Sequence, residues 1–336
     1  MLELITYSRQ RYEPDLRRPA NCWFLMLPGA GCAWAKASGG CYMCGFKQAT
    51  ERYTHGHTLP PLLHKALFKL WRFASEGQGP EVFYVFNGGS FLNAQEIPEG
   101  FQDWFFRKVG EVQGLRRVLV ETRPEFVTEE RVRSAVEACG PVKLTLAIGL
   151  ECYSDEIRDT CIHKGFQRSD YERAAEIISN CGALLHTYVL LKPILLGERE
   201  SIAQAVRTAQ YAFAQGSYAA SLECAFVQPG TPMAELYGQG LYKPPWLWSI
   251  AEVVKSCTHM GTLYVGNFED EPPPIAIPSN CSFCSTAFTE ELYRYNITQR
   301  ISDIGTFFCG CFEDWWKEYR ARVTQDETLP HRRLPV

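Results

Sequence analysis

Three cysteines near the N-terminus, Cys32, Cys41 and Cys44, have the residue type and spacing to hold an iron-sulfur cluster or another soft metal centre. Cys41 and Cys44 form a C-x2-C pair on a glycine-rich segment, so their sulfurs can approach one centre. A cluster usually has four cysteine ligands, and three would leave one iron open to a ligand from outside the protein. The spacing alone also fits a partial zinc site or a set of reduced core thiols.

A second group of cysteines lies near the C-terminus, where Cys281 and Cys284 form a C-x2-C pair and Cys309 and Cys311 form a C-x-C pair. Four thiolates complete a tetrahedral zinc site, so we predict a structural zinc here. An auxiliary iron-sulfur cluster would be satisfied by the same ligands. Four unliganded thiols are the least favoured alternative, because a short module without a large apolar core is typical of metal-stabilised folds.

The remaining cysteines occur singly in apolar segments. The chain has 14 cysteines in 336 residues and is far larger than disulfide-stapled domains. A single thiol in an apolar segment behaves as a small buried hydrophobe. We therefore assign seven cysteines to the core: Cys22, Cys139, Cys152, Cys161, Cys181, Cys224 and Cys257.

Composition indicates an ordinary cytoplasmic protein. With 46% hydrophobic residues the chain can bury a large core, and no apolar run approaches the length of a membrane span. The N-terminus lacks the layout of a signal peptide. The net charge of −4 provides no broad basic field, so an RNA partner would need a local basic patch or a second protein. Two candidate patches, which solvated termini explain equally well, are Arg9, Arg11, Arg17 and Arg18, and His331, Arg332 and Arg333.

Strand-length apolar runs alternate with helix-period segments up to about residue 270. Predicted strands cover 22–27, 82–86, 117–121, 143–150, 184–191, 219–227 and, as a possible seventh, 262–265. Predicted helices cover 62–75, 101–113, 129–139, 170–180, 201–215 and 246–259, with Ser169 and Glu172 as a capping box. Six such repeats imply an α/β fold with a parallel sheet and ligands at the carboxyl ends of its strands.

A break in composition divides the chain. Three consecutive prolines at 272–274, after an acidic stretch, can continue neither a helix nor a central strand. We therefore predict an N-terminal extension at 1–19, a core domain at 20–270, and a C-terminal module with its tail at 271–336.

Polar residues follow the second predicted strand in the segment Asn87, Gly88, Gly89 and Ser90. Paired glycines expose the backbone and allow a polar ligand to approach closely. Alone, a strand that ends in Gly-Gly more often marks a simple turn. We take this segment as a candidate binding loop because it would lie at the same sheet edge as the first three cysteines.

Charged residues follow the next two strands. Glu121 and Arg123 come at the end of the third strand, where Arg123 could grip a carboxylate with two hydrogen bonds or form a salt bridge between strand and helix. Glu151 after the fourth strand could accept hydrogen bonds from a ribose. Lys164 offers a cation for a carboxylate, although a solvated helix end is the plainer interpretation.

Together these segments resemble the radical S-adenosylmethionine enzyme superfamily. Most similar are GGCYMCGF, NGGSFLN, ETRPEF, HKGFQRSDYERA, NCSFC and CGCFEDWW, which match in order the RaSEA family, the radical subunits of archaeosine synthase, in the elongator-catalytic-subunit branch. The resemblance implies a partial (β/α)6 barrel, a 4Fe-4S cluster on Cys32, Cys41 and Cys44, and bound S-adenosylmethionine. Two positions depart from the superfamily: Met43 replaces an aromatic residue, whose role Tyr42 or Phe46 would take, and Ser90 replaces an acid.

The resemblance also implies a function. A 5′-deoxyadenosyl radical would cleave a lysine-modified 7-deazaguanine in tRNA to archaeosine, with a partner transferase subunit and an electron donor. A radical enzyme acting on another tRNA base or a small metabolite fits the residues as well. So does a non-catalytic, metal-stabilised module that binds RNA or protein. No catalytic side chain beyond the cluster ligands is identified from the sequence.

Overall fold

One sheet organises the chain. The computed structural model describes residues 6–306 and 308–321. Within these residues eight strands lie side by side in sequence order. β1 runs antiparallel to β2, and the neighbours from β2 to β8 are parallel. The strands are β1 (Thr6–Glu13), β2 (Arg18–Met26), β3 (Val82–Phe86), β4 (Arg117–Glu121), β5 (Lys143–Glu151), β6 (Leu184–Leu191), β7 (Ser217–Cys224) and β8 (Leu263–Val265).

Helices fill each crossover between parallel strands, as the βα pattern predicts. They are α1 (Ala33–Ser38), α2 (Phe46–Thr54), α3 (Pro61–Ser75), α4 (Glu99–Gly110), α5 (Glu129–Cys139), α6 (Arg168–Asn180), α7 (Glu198–Ala214), α8 (Pro232–Gly238), α9 (Leu247–Cys257), α10 (Ser285–Thr298) and α11 (Phe312–Arg320). Short helical turns occur at Pro124–Phe126, Asp155–Ile157, Arg158–Ile162 and Ile301–Asp303. The predicted α/β partial barrel is thereby confirmed.

Both faces of the sheet are buried. Successive side chains of a strand point to opposite faces, so Phe83 packs outward against α3 and α4 whereas Tyr84 packs into the barrel with Phe24 and Leu119. This explains the continuous apolar run of β3, since strands covered on both sides have no polar face. The seven cysteines assigned to the core are all buried, which confirms that prediction.

β1 was not predicted from the sequence, because its residues TYSRQRYE are mostly polar. This strand is held by a buried ion pair across the barrel. Glu13 and Arg117 are each 3% exposed, with Nη2 of Arg117 2.7 Å from Oε2 of Glu13. In addition, the Tyr264 hydroxyl donates to the carbonyl of Tyr12 at 2.7 Å. Pairing through ions and hydroxyls leaves no apolar alternation to detect.

The arginines proposed as a basic patch are dispersed by these contacts. Arg11 lies 3.8 Å from the centre of the Tyr264 ring, Arg9 faces Glu269, and Arg18 pairs with Glu81 at 2.6 Å. The second candidate patch, residues 331–333, lies outside the described residues. Arg11 therefore points into the barrel, whereas Arg9 and Arg18 are exposed and each is paired with an acid.

Two local predictions need correction. The capping box of α6 uses the Gln167 side chain and Asp170, and the predicted pair, Ser169 and Glu172, lies inside the helix. β7 begins and ends earlier than predicted, and Val227 instead forms an isolated antiparallel bridge with Ala276. Both errors come from polar residues near an element end, where several assignments satisfy the same pattern.

The residues after the triple proline pack on the last part of the barrel. Phe288 and Trp315 share one hydrophobic cluster with Leu222 of β7, and Nε1 of Trp315 donates to Oγ of Ser249 at 2.8 Å. The C-terminal module thus packs its apolar side chains into a cluster that it shares with the barrel. This packing fits a module that has few apolar residues of its own. Its division from the barrel at residue 270 stays a prediction. In the part of the chain that the structure describes, no helix has the length and apolarity to cross a bilayer.

Candidate functional site

The predicted site residues converge at the carboxyl edge of the parallel strands. The cysteine loop follows β2, the Gly-Gly-Ser loop follows β3, and Arg123 follows β4. Glu151 ends β5, where a bulge shifts the register and gives this residue a left-handed backbone (φ 62°). Adjacent parallel strands end at one edge, which is why loops distant in sequence form one site.

Glycines shape the cysteine loop. Cys32 precedes α1, and this helix ends at Gly39 and Gly40, both with φ near 85°. That left-handed conformation suits glycine, and a Cβ on Gly40 would lie only 3.0 Å from the Cβ of Ala35. The chain can therefore turn back, and the N–H of Cys44 then donates to the carbonyl of Cys41 at 3.1 Å. All three cysteines are half-buried.

His163 fastens the cysteine loop to the segment after β5. Its Nδ1 lies 2.8 Å from the Gly40 carbonyl oxygen, and its own carbonyl accepts from Nε1 of Trp34 at 2.8 Å. The Tyr42 ring stacks on the imidazole with ring centres 5.2 Å apart. Met43 packs in an apolar cluster on the same side. Phe46, in contrast, lies against Gly88, since a Cβ there would be 3.5 Å from its ring.

The Gly-Gly-Ser loop contains an orphaned side chain. Asn87 is 6% exposed, and both its amide oxygen and its amide nitrogen lack a hydrogen-bond partner among the described residues. Ser90 is fully buried and its Oγ accepts from the N–H of Arg123 at 3.1 Å. The Ser90 hydroxyl is thus already hydrogen-bonded within the protein. A buried amide left unpaired costs free energy, so Asn87 is a candidate for a ligand contact.

Glu96 is part of this loop and was missed from the sequence. It is 2% exposed and accepts hydrogen bonds from the N–H of Ala33 at 3.0 Å and of Ser90 at 2.5 Å. It also accepts one from Nδ2 of Asn93 at 2.9 Å. Its position a few residues beyond the paired glycines could have indicated Glu96, but this spacing is not characteristic of any motif.

Arg123 forms a salt bridge, one of the two roles that the sequence left open, and its other role, binding a carboxylate, stays a prediction. Its Nε donates to Glu125 at 2.5 Å, which is the salt bridge. Its guanidinium also lies 5.4 Å from the ring centres of Trp34 and Phe166. The Nη2 atom is buried and has no partner among the described residues. The N–H groups of Nη2 are therefore available to bind an anion.

Glu151 and Lys164 form a buried pair. Nζ of Lys164 is 2.7 Å from Oε1 of Glu151, and the side chains are 12% and 8% exposed. Although burial lowers it, the Glu151 carboxylate raises the pKa of Lys164 above its usual value. The interpretation of Lys164 as a solvated helix end is therefore wrong. A Cβ on Gly149 would meet both groups, so this glycine leaves room for the pair.

Two further carboxyl groups line the barrel below this pair. Burial raises the pKa of Glu121 to about 8, despite a hydrogen bond with Tyr188. Burial, together with the charge of Glu151, raises the pKa of Glu223 to about 7. Glu223 was not identified from the sequence, because it lies within an apolar strand and follows no motif. These groups give the barrel mouth more carboxyl groups than cations.

Beside the cysteine loop lies an open cleft of about 390 Å³. Cys41 and Cys44 contribute to its wall, together with Lys47 of α2 and Gly230 before α8. Burial raises the pKa of both thiols. As thiolates they therefore require a nearby cation, which a metal centre supplies.

The C-terminal cysteines are already assembled. The sulfurs of Cys281, Cys284, Cys309 and Cys311 all lie within 4.8 Å of one another. Three of the sulfur pairs are 3.5–3.6 Å apart. Although burial raises it, hydrogen bonds from the backbone N–H groups of Cys284 and Phe283 lower the pKa of Cys281 to about 7. Such a group can hold a metal ion.

Known proteins align with most of the length of this chain. It is 34% identical over 304 residues to archaeosine synthase subunit beta of Methanosarcina acetivorans, covering 87% of this chain and 83% of the relative. It is 32% identical over 243 residues to the protein of that name from Thermococcus kodakarensis, covering 70% and 72%. No protein-family model matches the chain.

Solved structures share the fold at low sequence identity. Elp3 of Methanocaldococcus infernus, lacking residues 1–46, superposes with a TM-score of 0.50 at 14% identity over 81% of this chain and 62% of that one. SuiB of Streptococcus suis gives a TM-score of 0.51 at 10% identity over 73% and 49%. At such identities the likeness concerns the barrel alone.

Proposed function

Because the chain belongs to the archaeosine synthase subunit beta family of radical S-adenosylmethionine proteins, we propose that it cleaves a lysine-modified 7-deazaguanine in tRNA to leave the formamidine group of archaeosine. One observation supports this proposal most directly. Three half-buried cysteines, a Gly-Gly loop and the side chains of Asn87 and Arg123, which have unpartnered polar atoms, lie at one sheet edge. When bound, a 4Fe-4S cluster and S-adenosylmethionine together supply a 5′-deoxyadenosyl radical that abstracts hydrogen from the substrate.

The residues present fit these cofactors. Cys32, Cys41 and Cys44 would hold the cluster, and the missing fourth ligand leaves one iron for S-adenosylmethionine. The unpaired amide of Asn87 and the unpaired Nη2 of Arg123 are buried donors and acceptors that need a polar ligand. Met43 and Phe46 provide apolar surface beside the loop.

Each polar group would have a separate task. Arg123 would bind a carboxylate through the guanidinium edge that carries the unpaired Nη2, because this planar group matches two carboxylate oxygens. Backbone groups of Gly88 and Gly89 would bind the amino group of methionine. Glu151 would accept ribose hydroxyls while Lys164 holds its carboxylate in place.

The barrel mouth suits a cationic substrate group. An amidine bearing lysine is positively charged, and Glu121 and Glu223 lie in the barrel interior without a paired lysine or arginine of their own among the described residues. Glu121 and Glu223 would face this group. Burial raises the pKa of both carboxyl groups, and a bound amidinium would lower it again by favouring the ionised forms. A carboxylate and an amidinium attract strongly in a buried site because solvent screening is weak.

The C-terminal sulfurs would bind one zinc ion. Zinc holds thiolates at about 2.3 Å, which places tetrahedral sulfurs about 3.8 Å apart. The observed pairs at 3.5–3.6 Å are close to this spacing. A cubane cluster would need each sulfur at a different corner and hence a wider arrangement. One ion at this position would join the segments that directly precede α10 and α11.

Partners follow from the family. Relatives carry the name subunit beta, so a second subunit would supply the lysine-modified tRNA. The net charge of −4 fits a subunit that leaves much of the tRNA contact to that partner. An electron donor would reduce the cluster, and the cleft beside Cys41 and Cys44 gives it access.

The test is a defined anaerobic reaction. Reconstituted protein, reductant, S-adenosylmethionine and tRNA carrying the lysine adduct should yield archaeosine and 5′-deoxyadenosine, measured by nucleoside mass spectrometry. The Cys41→Ala protein serves as the control without a cluster. If the adduct stays intact while 5′-deoxyadenosine forms at an unstimulated rate, the substrate assignment is wrong. If a cluster-replete protein forms no 5′-deoxyadenosine at all, the radical assignment is wrong.

A further inference from the structure

We propose that Glu96 is a positioning residue that joins the cysteine loop to the Gly-Gly-Ser loop and thereby fixes the two halves of the cofactor site relative to each other. The inference deepens the proposed function and rests on it. Glu96 lies further along the Gly-Gly-Ser loop, outside the segment 87–90 and outside the cysteine motif, and binds no cofactor in this assignment. Its effect is transmitted through two backbone N–H groups.

The contacts of the carboxylate carry the proposal. One oxygen, Oε1, accepts from the N–H of Ala33 at 3.0 Å, and Ala33 directly follows Cys32. The other, Oε2, accepts from the N–H of Ser90 at 2.5 Å, and Ser90 directly follows Gly89. A single side chain therefore binds the residue next to a cluster cysteine and the residue next to the glycine pair.

The carboxylate is itself held firmly. Glu96 is 2% exposed, and Nδ2 of Asn93 donates a third hydrogen bond to Oε1 at 2.9 Å. Asn93 is also buried and in turn accepts from the N–H of Gln95. Burial raises the pKa of Glu96, and the hydrogen bonds from Ser90, Ala33 and Asn93 oppose this shift. In the ionised carboxylate, bonds of this type are about twice as strong as neutral ones.

Gly89 provides the space that Glu96 uses. A Cβ on Gly89 would overlap the Glu96 carboxylate and would lie 3.3 Å from the Cα of Cys32. Gly89 does not have a left-handed backbone, unlike Gly88 with φ 63°. Its lack of a side chain is therefore explained by this close approach and not by the turn.

Loss of this link should loosen both loops together. Cys32 and Gly89 are close neighbours beside the carboxylate, since a Cβ on Gly89 would lie 3.3 Å from the Cα of Cys32. A shift of either loop would therefore change where the cluster and the cofactor meet. Binding sites tolerate displacements of only a fraction of an ångström before function suffers. A glutamine at position 96 keeps the size of the side chain but presents an NH2 group to at least one backbone N–H.

The experiment compares Glu96→Gln with Glu291→Gln in the reconstituted full-length protein. Glu291 is an apt control because it is 5% exposed and accepts from the N–H of Gly305 and the Thr306 hydroxyl, away from the cysteine loop. Three quantities are measured: amide hydrogen exchange at residues 32–38 and 88–93, the dissociation constant for S-adenosylmethionine, and the electron paramagnetic resonance spectrum of the reduced cluster with and without it.

We expect Glu96→Gln to speed exchange in both segments and to raise the dissociation constant by at least about tenfold. We also expect it to alter the spectral change caused by S-adenosylmethionine. Glu291→Gln should change none of these. Gly89→Ala, which displaces the carboxylate without altering its charge, should reproduce the faster exchange and covers the case in which Glu96→Gln does not fold.

Two results would overturn this proposal, and a third would overturn the proposed function alone. Unchanged exchange in either segment of Glu96→Gln, or in Gly89→Ala if that variant alone folds, overturns it. An unchanged dissociation constant and spectrum in a wild-type-like Glu96→Gln protein also overturns it. If the wild-type protein itself binds no S-adenosylmethionine, the proposed function fails, and the exchange data still decide whether Glu96 couples the loops.

Discussion

The two cysteine groups of this chain differ in how complete they are. The four C-terminal sulfurs lie within 4.8 Å of one another and are surrounded by Trp248, Phe312 and other apolar side chains. The three N-terminal cysteines sit on a glycine-shaped loop beside a cleft and beside the unpaired groups of Asn87 and Arg123. One group is closed by protein alone, whereas the other leaves polar groups unsatisfied.

This difference indicates opposite effects on stability. A metal in the closed group would stabilise the fold, because its ligands are brought together only in the folded chain. The open group carries buried polar atoms and carboxyls that destabilise the fold until a ligand satisfies them. The comparison therefore predicts that changes in the first group mainly affect stability and changes in the second mainly affect chemistry.

The largest expected effect is that of Cys41→Ala. Loss of one of three ligands should abolish the N-terminal cluster and reduce 5′-deoxyadenosine formation to background, because no fourth cysteine can compensate. Iron content, visible absorption and the melting temperature of the purified protein provide the measurement. Cys139→Ala, which removes a buried thiol of the outer core, should keep both iron and activity. Full iron occupancy in Cys41→Ala would contradict the assignment of the cluster to the N-terminal cysteines.

Next in size is Cys281→Ser. Opening the closed group should lower the free energy of unfolding by more than about 3 kcal/mol and remove one zinc per chain. The iron of the N-terminal site should remain in the protein that does fold. Metal analysis and chemical denaturation give both values. A preparation with about eight irons and no zinc would instead identify an auxiliary cluster.

Arg123→Lys tests the open group without changing its charge. Lysine cannot reproduce the two-point contact of a guanidinium, so we expect kcat/KM to fall about 10–100-fold, equivalent to a charged hydrogen bond. The melting temperature should change little, since the Glu125 side chain in the salt bridge with Arg123 is 42% exposed to solvent. As a matched change on the barrel surface, Arg133→Lys alters an exposed ion pair and should leave kcat/KM unchanged. Equal kinetics for Arg123→Lys and wild type would remove this residue from the site.

The smallest effect concerns pH. Burial raises the pKa of Glu121 to about 8, so the folded chain retains a proton that the unfolded chain loses above its ordinary value near 4.5. Stability should therefore fall as the pH rises between these values, and Glu121→Gln should flatten that slope. The melting temperature across this range is the measurement.

Glu81→Gln is the control for that slope. The hydrogen bond from Arg18 lowers the pKa of Glu81, so its contribution is lost only in more acidic solution. Its replacement should leave the slope between pH 4.5 and 8 as in wild type. If Glu121→Gln behaves in the same way, the buried carboxyl does not destabilise the fold.

Regular parts of the fold follow directly from the sequence. Strands Val82–Phe86 and Leu184–Leu191 and helix Glu129–Cys139 were predicted with their observed bounds, because apolar burial determines their pattern. β1 was not predicted, since its buried contacts are ionic. Glu96 and Glu223 were missed for a related reason: a side chain that acts through space on a neighbouring loop leaves no periodic signal. Motif cysteines were found because their roles depend on spacing along the chain.

The buried pair of Glu13 and Arg117 has a consequence for how a substrate could reach the site. Both residues lie at the end of the barrel opposite the cysteine loop, where Tyr218 also hydrogen-bonds to Glu13 and Tyr264 binds the backbone of β1. Among the described residues these side chains fill that end of the barrel, so we expect a substrate to enter from the cysteine side. For the tRNA substrate proposed above, this closure would prevent a strand from threading through the barrel. The modified nucleotide would then have to unstack and rotate out of the RNA, as in enzymes that flip bases, and the energy of unstacking would select nucleotides in loosely stacked regions.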